Sequence, residues 1–155
     1  EAVLNRVHER GIPVLAAAGN AGPASAPLYP AAYESVVAIT AVEADGRVFR
    51  LANRGDYLDL AAPGVNIRHA EAGGSYVVSS GTSFAVPFAT VAVARLHASE
   101  PGTAVLESLY RSAYDLGPPG KYDIYGYGLL DPAANLLPPV NELAARDGLP
   151  VVGAL

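Results

Sequence analysis

The sequence predicts an α/β fold built on a parallel β-sheet, and two stretches carry that prediction. Residues 12–18 form a continuous apolar run that stops at Gly19, and unbroken hydrophobicity of this kind is typical of a parallel strand covered on both faces. Residues 83–97 form a long, mostly apolar stretch that begins after a glycine turn, which indicates a helix packed inside a protein. Strands that alternate with helices along a chain favour a parallel sheet.

Composition sets the limits of this interpretation. The 155 residues fit one domain, and a hydrophobic content of 51% with 16% charged residues is enough to fill a core. The net charge of −5 gives no electrostatic argument for binding nucleic acid or an anionic membrane surface. No apolar run approaches the length of a membrane span. Cysteine is absent, so no disulfide or thiolate metal site is expected, and no motif suggests a cofactor.

The N-terminal elements follow from spacing and from turn residues. Val3, Leu4 and Val7 recur at helical spacing, and Gly11 is placed to end that helix. The segment 21–30 is rich in proline, glycine and serine, so it is expected to form a loop. The predicted strands of this part of the chain are 12–18, 35–42 and 57–61.

The second half begins with a predicted hairpin of residues 66–72 and 75–79, which turns at Gly73 and Gly74. Helix 83–97 follows, with Pro87 expected in its first turn, where N–H groups lack an intrahelical partner. Thr103 is predicted to cap a helix that ends near residue 116, and residues 117–128 form a loop with three tyrosines. A last short helix, 131–137, is expected before two prolines.

Two polar residues stand where chemistry is expected. Ser83 lies at the positive end of the helix 83–97, where a developing oxyanion would be stabilised. A serine there can also serve only as a helix cap. Asn20 follows the strand 12–18, and ligands of open α/β sheets bind beyond the carboxyl ends of the strands. We therefore expect Ser83 and Asn20 to face one crevice.

Three segments resemble landmarks of the subtilisin-like serine proteases, or subtilases (peptidase S8 type). They are residues 16–20 (AAAGN), 60–64 (LAAPG) and 81–87 (GTSFAVP), in the order that the family shows. Residues 28–31 (LYPA), 51–55 (LANRG) and 125–131 (YGYGLLD) resemble further family segments. The resemblance covers residues 1–137, which leaves 138–155 as a C-terminal tail or linker.

The resemblance implies a three-layer subtilisin-like parallel sheet with helices on both faces, present here as its C-terminal portion. It implies that Ser83 is the nucleophile, and that its backbone N–H and the side-chain amide of Asn20 bind the oxyanion. The residues implied to contact substrate are Ala17, Ala18, Gly19, Leu28 and Thr82. If Leu28 forms the floor of the specificity pocket, the pocket should be shallow, neutral and suited to small or medium apolar residues.

The sequence departs from the family pattern at the other two members of the catalytic triad. Neither an Asp-(Ser/Thr)-Gly segment nor a His-Gly-Thr segment occurs, and His8, His69 and His97 stand elsewhere. The absence of methionine and the opening on Glu1 also suggest a piece of a longer protein. This chain is therefore expected to be inactive alone.

Two functions remain open at this stage. The first is part of an active endopeptidase that acts on peptide or protein substrates once its missing N-terminal half is bound, with self-association through an open sheet edge as a further possibility. The second is a non-catalytic subtilase relic, or pseudo-protease, that acts as an interaction module. The sequence does not give the compartment, although the resemblance implies a secreted, periplasmic or cell-envelope protein.

Overall fold

The computed structural model describes residues 1–97 and 104–131. The elements, in chain order, are helix α1 (Ala2–His8), strands β1 (Val14–Ala17), β2 (Val36–Val42), β3 (Leu58–Pro63), β4 (Ile67–Ala70) and β5 (Tyr76–Ser79), and helices α2 (Thr82–His97) and α3 (Ala104–Ser112). The predicted helix 131–137 and the tail 138–155 lie outside the described residues, except for Asp131. No helix in the described part of the chain combines the length and hydrophobicity needed to cross a membrane.

The main sheet has the parallel topology that the apolar runs predict. Its strand order is β1-β2-β3, and both neighbouring pairs are parallel. Every residue of β2 is buried, as expected for a central strand, whereas all four residues of β1 are only half-buried. On the other side of the sheet, Ala61 of β3 makes a parallel bridge to Leu129. Strand β1 is therefore the uncovered edge of the sheet in the described residues.

Most of the core lies between the sheet and the helices α2 and α3. Helix α2 contributes Ala85, Ala89 and Ala92, whose small side chains allow the helix to pack closely on the strands. The other buried members of this cluster are Val37, Ile39, Ala41, Leu60, Ala62, Val93, Val105, Leu106, Leu109 and Leu130. A smaller cluster of Ala18, Ala31, Ala38 and Leu58 covers the opposite face of the sheet, where Ala16 and Tyr57 pack against it.

Helix α2 is buried on one side only. Val91 is 50% exposed, and Thr90 and Ala94 are exposed as well. The hydrophobic sequence of α2 led us to expect a helix enclosed all round, so the described residues leave part of its apolar surface open.

Three local predictions need correction. Helix α3 ends at Ser112, before residue 116, because Tyr114 pairs with Leu129 in an antiparallel bridge. Strand β3 continues to Pro63 because it stays paired with β2 up to Val42. Pro87 is the sixth residue of α2 and lies beyond its first turn, so it cannot donate to the Ser83 carbonyl four residues earlier.

Candidate active site

The segment 81–87 is held at the carboxyl end of the sheet by two glycines. The Gly81 N–H donates to the carbonyl of Gly64, which follows β3, at 2.8 Å. A Cβ atom on Gly64 would lie 2.6 Å from the Ala41 Cβ atom and 2.9 Å from the Gly81 oxygen, so only glycine fits there. This close approach directs the hairpin β4–β5 into helix α2 above the ends of β2 and β3.

Helix α2 begins at Thr82, which is fully buried, and its second residue is Ser83, which is exposed. The N–H of Ser83 belongs to the first turn and therefore has no intrahelical acceptor. The hydroxyl and backbone N–H of one residue thus stand together at the positive end of a helix of 16 residues. This arrangement can present a nucleophile together with one hydrogen-bond donor for an oxyanion.

Asn20 is joined to the start of α2 by hydrogen bonds that fix the orientation of its amide. The Asn20 Oδ1 atom accepts the Thr82 N–H at 2.9 Å and the Thr82 hydroxyl at 3.1 Å. Because a backbone N–H can only donate, the atom that faces Thr82 is the oxygen, and the Asn20 NH₂ group points the other way. The Thr82 hydroxyl in turn accepts the Gly19 N–H at 3.1 Å. The structure therefore brings Asn20 next to the residue that precedes Ser83.

Gly19 occupies a position that no side chain could share. Its φ is +110°, and a Cβ atom would lie 2.6 Å from Leu28 Cδ1 and 2.7 Å from Asn53 Nδ2. Leu28 is 44% exposed, so its side chain lies beside Gly19 rather than in the core. Ala18 is fully buried, and its carbonyl accepts the Tyr57 hydroxyl at 3.2 Å. Ala17, the last residue of β1, is half-buried.

Asn53 is a site residue to which the sequence assigned no role. It is fully buried, its N–H donates to the Gly19 carbonyl at 3.0 Å, and its Oδ1 atom accepts the Ala21 N–H at 2.8 Å. Asn53 thus binds the residues on both sides of Asn20. The available signal was an asparagine in the segment 51–55, which resembles a subtilase landmark, but its partners lie more than 30 residues away.

The three histidines lie where the sequence placed them, and none is hydrogen-bonded to Ser83 in the described part of the chain. His8 ends α1, and His97 ends α2, about 20 Å from Ser83 at ~1.5 Å per residue. His69 lies in β4, where its Nε2 atom is 2.9 Å from the Ser79 hydroxyl and its Nδ1 atom is 3.0 Å from the Ala70 carbonyl.

A largely enclosed charged residue, Asp59, lies at the other end of the sheet. The Asp59 carboxylate accepts the Ala38 N–H at 2.8 Å and binds the Lys121 ammonium at 3.0 Å. Burial raises the pKa of Asp59, and its two partners oppose that shift. Over the residues that are described, no group of three or more acidic, histidine or cysteine side chains is placed to hold a metal ion.

The fold and the site together indicate a class of protein. A parallel α/β sheet that places an exposed serine at a helix start, next to an asparagine amide, is typical of a serine hydrolase. The Subtilase family model (peptidase S8) matches residues 1–128. The chain belongs to the subtilase family.

Individual relatives agree with this assignment. The chain is 35% identical over 130 residues to Minor extracellular protease Epr of Bacillus subtilis (strain 168), a match that covers 82% of this chain and 20% of that protein. It is 32% identical over 137 residues to Subtilisin Savinase of Lederbergia lenta, covering 86% of this chain and 49% of the relative. The chain thus spans less than half the length of these relatives.

A solved structure is similar in fold. The crystal structure of a lanthipeptide protease superposes with a TM-score of 0.73 at 23% identity, over 87% of this chain and 53% of that one. The prediction of a partial subtilisin-like α/β fold is therefore confirmed.

Proposed function

We propose that this chain is the part of a serine endopeptidase that carries the nucleophile, Ser83, and the oxyanion-binding amide of Asn20. The observation that carries the proposal is the pair of hydrogen bonds from Thr82 to Asn20 Oδ1, because they leave the Asn20 NH₂ group directed away from Thr82. Hydrogen-bond donors that are fixed before the reaction stabilise charge that develops in the transition state.

In the proposed reaction, the Ser83 oxygen attacks the scissile carbonyl while a histidine from outside this chain takes the hydroxyl proton. The carbonyl oxygen becomes an oxyanion that accepts hydrogen bonds from the Ser83 N–H and the Asn20 amide. The C–N bond then breaks, and the histidine returns the proton to the leaving amine. Water then attacks the acyl-enzyme while the histidine takes its proton, the ester bond to the Ser83 oxygen breaks, and the histidine returns the proton to that oxygen, which releases the carboxylic acid product and regenerates the Ser83 hydroxyl.

The missing base and its orienting aspartate are proposed to come from an N-terminal half that docks against β1 and α2. Strand β1 is an edge with half-buried residues, and the apolar Val91 of α2 is half exposed. Open strand edges pair readily, and exposed apolar patches mark interfaces. The match covers 49% of Subtilisin Savinase, as expected if this chain is about half of a catalytic domain. On this proposal, residues 1–137 are the catalytic part, and 138–155 are a tail or linker.

The proposed substrates are peptides or proteins whose residue before the scissile bond is small or medium and apolar. Leu28 stands beside Gly19, where it would limit the depth of a pocket. Gly19, Asn20, Leu28 and Thr82 carry no charge, so this part of the site gives no reason to prefer a charged side chain. Because Epr is by name an extracellular protease, we also propose that this chain acts outside the cytoplasm.

The proposal is tested with a fusion protein, called the completed domain below, in which residues 1–155 are joined to the N-terminal half of the catalytic domain of Subtilisin Savinase. The rate at which it hydrolyses a peptide amide is measured. We expect activity that disappears in the Ser83→Ala variant, and negligible activity of residues 1–155 alone. Ser83-dependent hydrolysis by the isolated chain would show that no second half is needed.

The second candidate function is a non-catalytic interaction module. The observation in its favour is that no histidine among the described residues is hydrogen-bonded to Ser83. A folded completed domain that binds a peptide but never cleaves it would favour this candidate.

A further inference from the structure

A buried residue from a distant part of the chain, Asn53, holds the turn that carries Asn20 through one backbone and one side-chain hydrogen bond. Asn53 has no exposed surface. Its N–H donates to the carbonyl of Gly19, and its Oδ1 atom accepts the N–H of Ala21. These two hydrogen bonds enclose Asn20 between them. The backbone of Asn20 therefore cannot shift without breaking a bond to Asn53.

The bonds of Asn53 complement those of Thr82. Thr82 binds the Asn20 side chain, so it sets the direction of the carboxamide, whereas Asn53 binds the neighbouring backbone. The Gly22 N–H also donates to the carbonyl of Leu51 at 2.9 Å, so the same loop supports the next part of the turn. The side chain of Asn20 and the backbone on either side of it therefore both depend on residues remote in sequence.

The side-chain oxygen of Asn53 is the group that acts on the turn. Its Nδ2 atom is buried and interacts with the Tyr57 hydroxyl, which itself donates to the Ala18 carbonyl. Loss of the Oδ1 atom would remove the acceptor that holds the Ala21 N–H.

We propose that Asn53 is a positioning residue for the oxyanion-binding turn, which acts on catalysis through Asn20 without touching substrate. The inference rests on the proposed protease function. An error of about 1 Å in the position of a catalytic group can cost ~10²-fold in rate. Loss of the Asn53 oxygen should therefore lower kcat and leave KM nearly unchanged.

The test uses the completed domain and the substitutions Asn53→Leu, which keeps the volume but removes the acceptor, and Asn53→Ala. We expect kcat to fall about 10- to 100-fold per active site, counted by active-site titration, with KM changed less than about threefold. Leu109→Ala is the matched control, because Leu109 is fully buried in α3, away from Asn20. It should lower the melting temperature and leave kcat per active site unchanged.

A double-mutant cycle shows whether Asn53 acts through Asn20. In an Asn20→Ala background, Asn53→Leu should lower kcat by less than about threefold, because the group that it positions is already gone. Equal factors in both backgrounds would overturn the positioning role. If Asn53→Leu does not fold, Asn53→Ala decides by the same criterion.

Hydrogen exchange of the Ala21 amide gives a second readout that needs no catalysis. In residues 1–155, this amide should exchange at least tenfold faster in Asn53→Ala than in the wild type, whereas Leu109→Ala should change it no more than neighbouring amides. Unchanged protection would contradict the proposal. Absence of Ser83-dependent activity in the completed domain would instead defeat the protease function, and the catalytic role of Asn53 with it.

Discussion

The polar side chains that bond around Asn20, at the carboxyl end of the sheet, are uncharged, whereas a charged pair, Asp59 and Lys121, lies at the amino end. Asn20, Thr82 and Asn53 bond to one another or to backbone groups, and Thr82 directly precedes the exposed Ser83. Asp59, near the start of β3, binds both a backbone N–H and Lys121. The Lys121 ammonium also lies 5.3 Å from the centroid of the Tyr127 ring.

The difference indicates what each end contributes. Neutral dipoles that are already oriented can stabilise a negative charge that forms during a reaction, whereas a carboxylate in the same place would oppose it. The Asp59 carboxylate is already matched by its partners, and it ties the loop after α3 to the sheet. We therefore expect substitutions at the carboxyl end to change activity, and substitutions at the amino end to change stability.

The largest effect is expected at Ser83. In the completed domain, Ser83→Ala should lower kcat on the order of 10⁶-fold, a magnitude taken from subtilisin itself, because the attacking oxygen is removed. Its melting temperature should match that of the wild type, since the side chain is exposed. A loss of kcat smaller than about 10²-fold would show that the Ser83 oxygen is not the nucleophile.

The next effect concerns the amide that the Thr82 hydrogen bonds orient. Asn20→Ala should lower kcat by ~10²–10³-fold with KM nearly unchanged, a range established for the corresponding subtilisin residue, because the amide binds the oxyanion more strongly than the ground-state carbonyl. Steady-state kinetics on a peptide amide measure both constants. A rise confined to KM would assign Asn20 to substrate binding.

A smaller change is expected at Leu28. We compare kcat/KM for two substrates that carry phenylalanine or alanine immediately before the scissile bond. Leu28→Gly should raise the ratio of the phenylalanine value to the alanine value about tenfold, because even one methylene in an apolar pocket is worth ~1–3 kcal/mol. A substrate series on both proteins gives the ratio. An unchanged ratio would show that Leu28 does not limit the pocket.

The smallest effect is expected at the amino end and appears in the pH dependence of stability. Burial raises the folded-state pKa of Asp59 above the ordinary value of an aspartate side chain. Between the unfolded and the raised folded pKa, the native state binds more protons, so the contribution of Asp59 to stability falls as pH rises through that window. Relative to Asp59→Asn, the wild type should lose unfolding free energy as pH rises above about 4.

Denaturant titrations at several pH values measure this difference. The kcat of the completed domain at neutral pH should stay within about twofold in Asp59→Asn, because a carboxylate at the other end of the sheet is not part of the proposed chemistry. A large loss of kcat without a loss of stability would show that Asp59 contributes to catalysis, contrary to the expected difference between the two ends of the sheet.

The order of the elements and the class of fold could be predicted from the sequence alone. Residues 12–18 are apolar without interruption, and this pattern identified a parallel strand, although the described residues leave it half-buried at the edge of the sheet and not covered on both faces. The segment 81–87 placed Ser83 at a helix start through local turn and helix preferences. Both patterns involve residues close together in the chain, so they can be recognised without knowledge of any tertiary contact.

Only the tertiary structure decided the contacts between segments that are far apart in the sequence. The direction of the Asn20 amide depends on Thr82, 62 residues away, and the Asn20 turn depends on Asn53. The early end of α3 depends on the pairing of Tyr114 with Leu129. No local preference encodes such pairings, because they form only when the folded sheet brings the segments together at the expense of loop entropy. Local sequence therefore specified which groups this protein carries, and tertiary packing specified where those groups point.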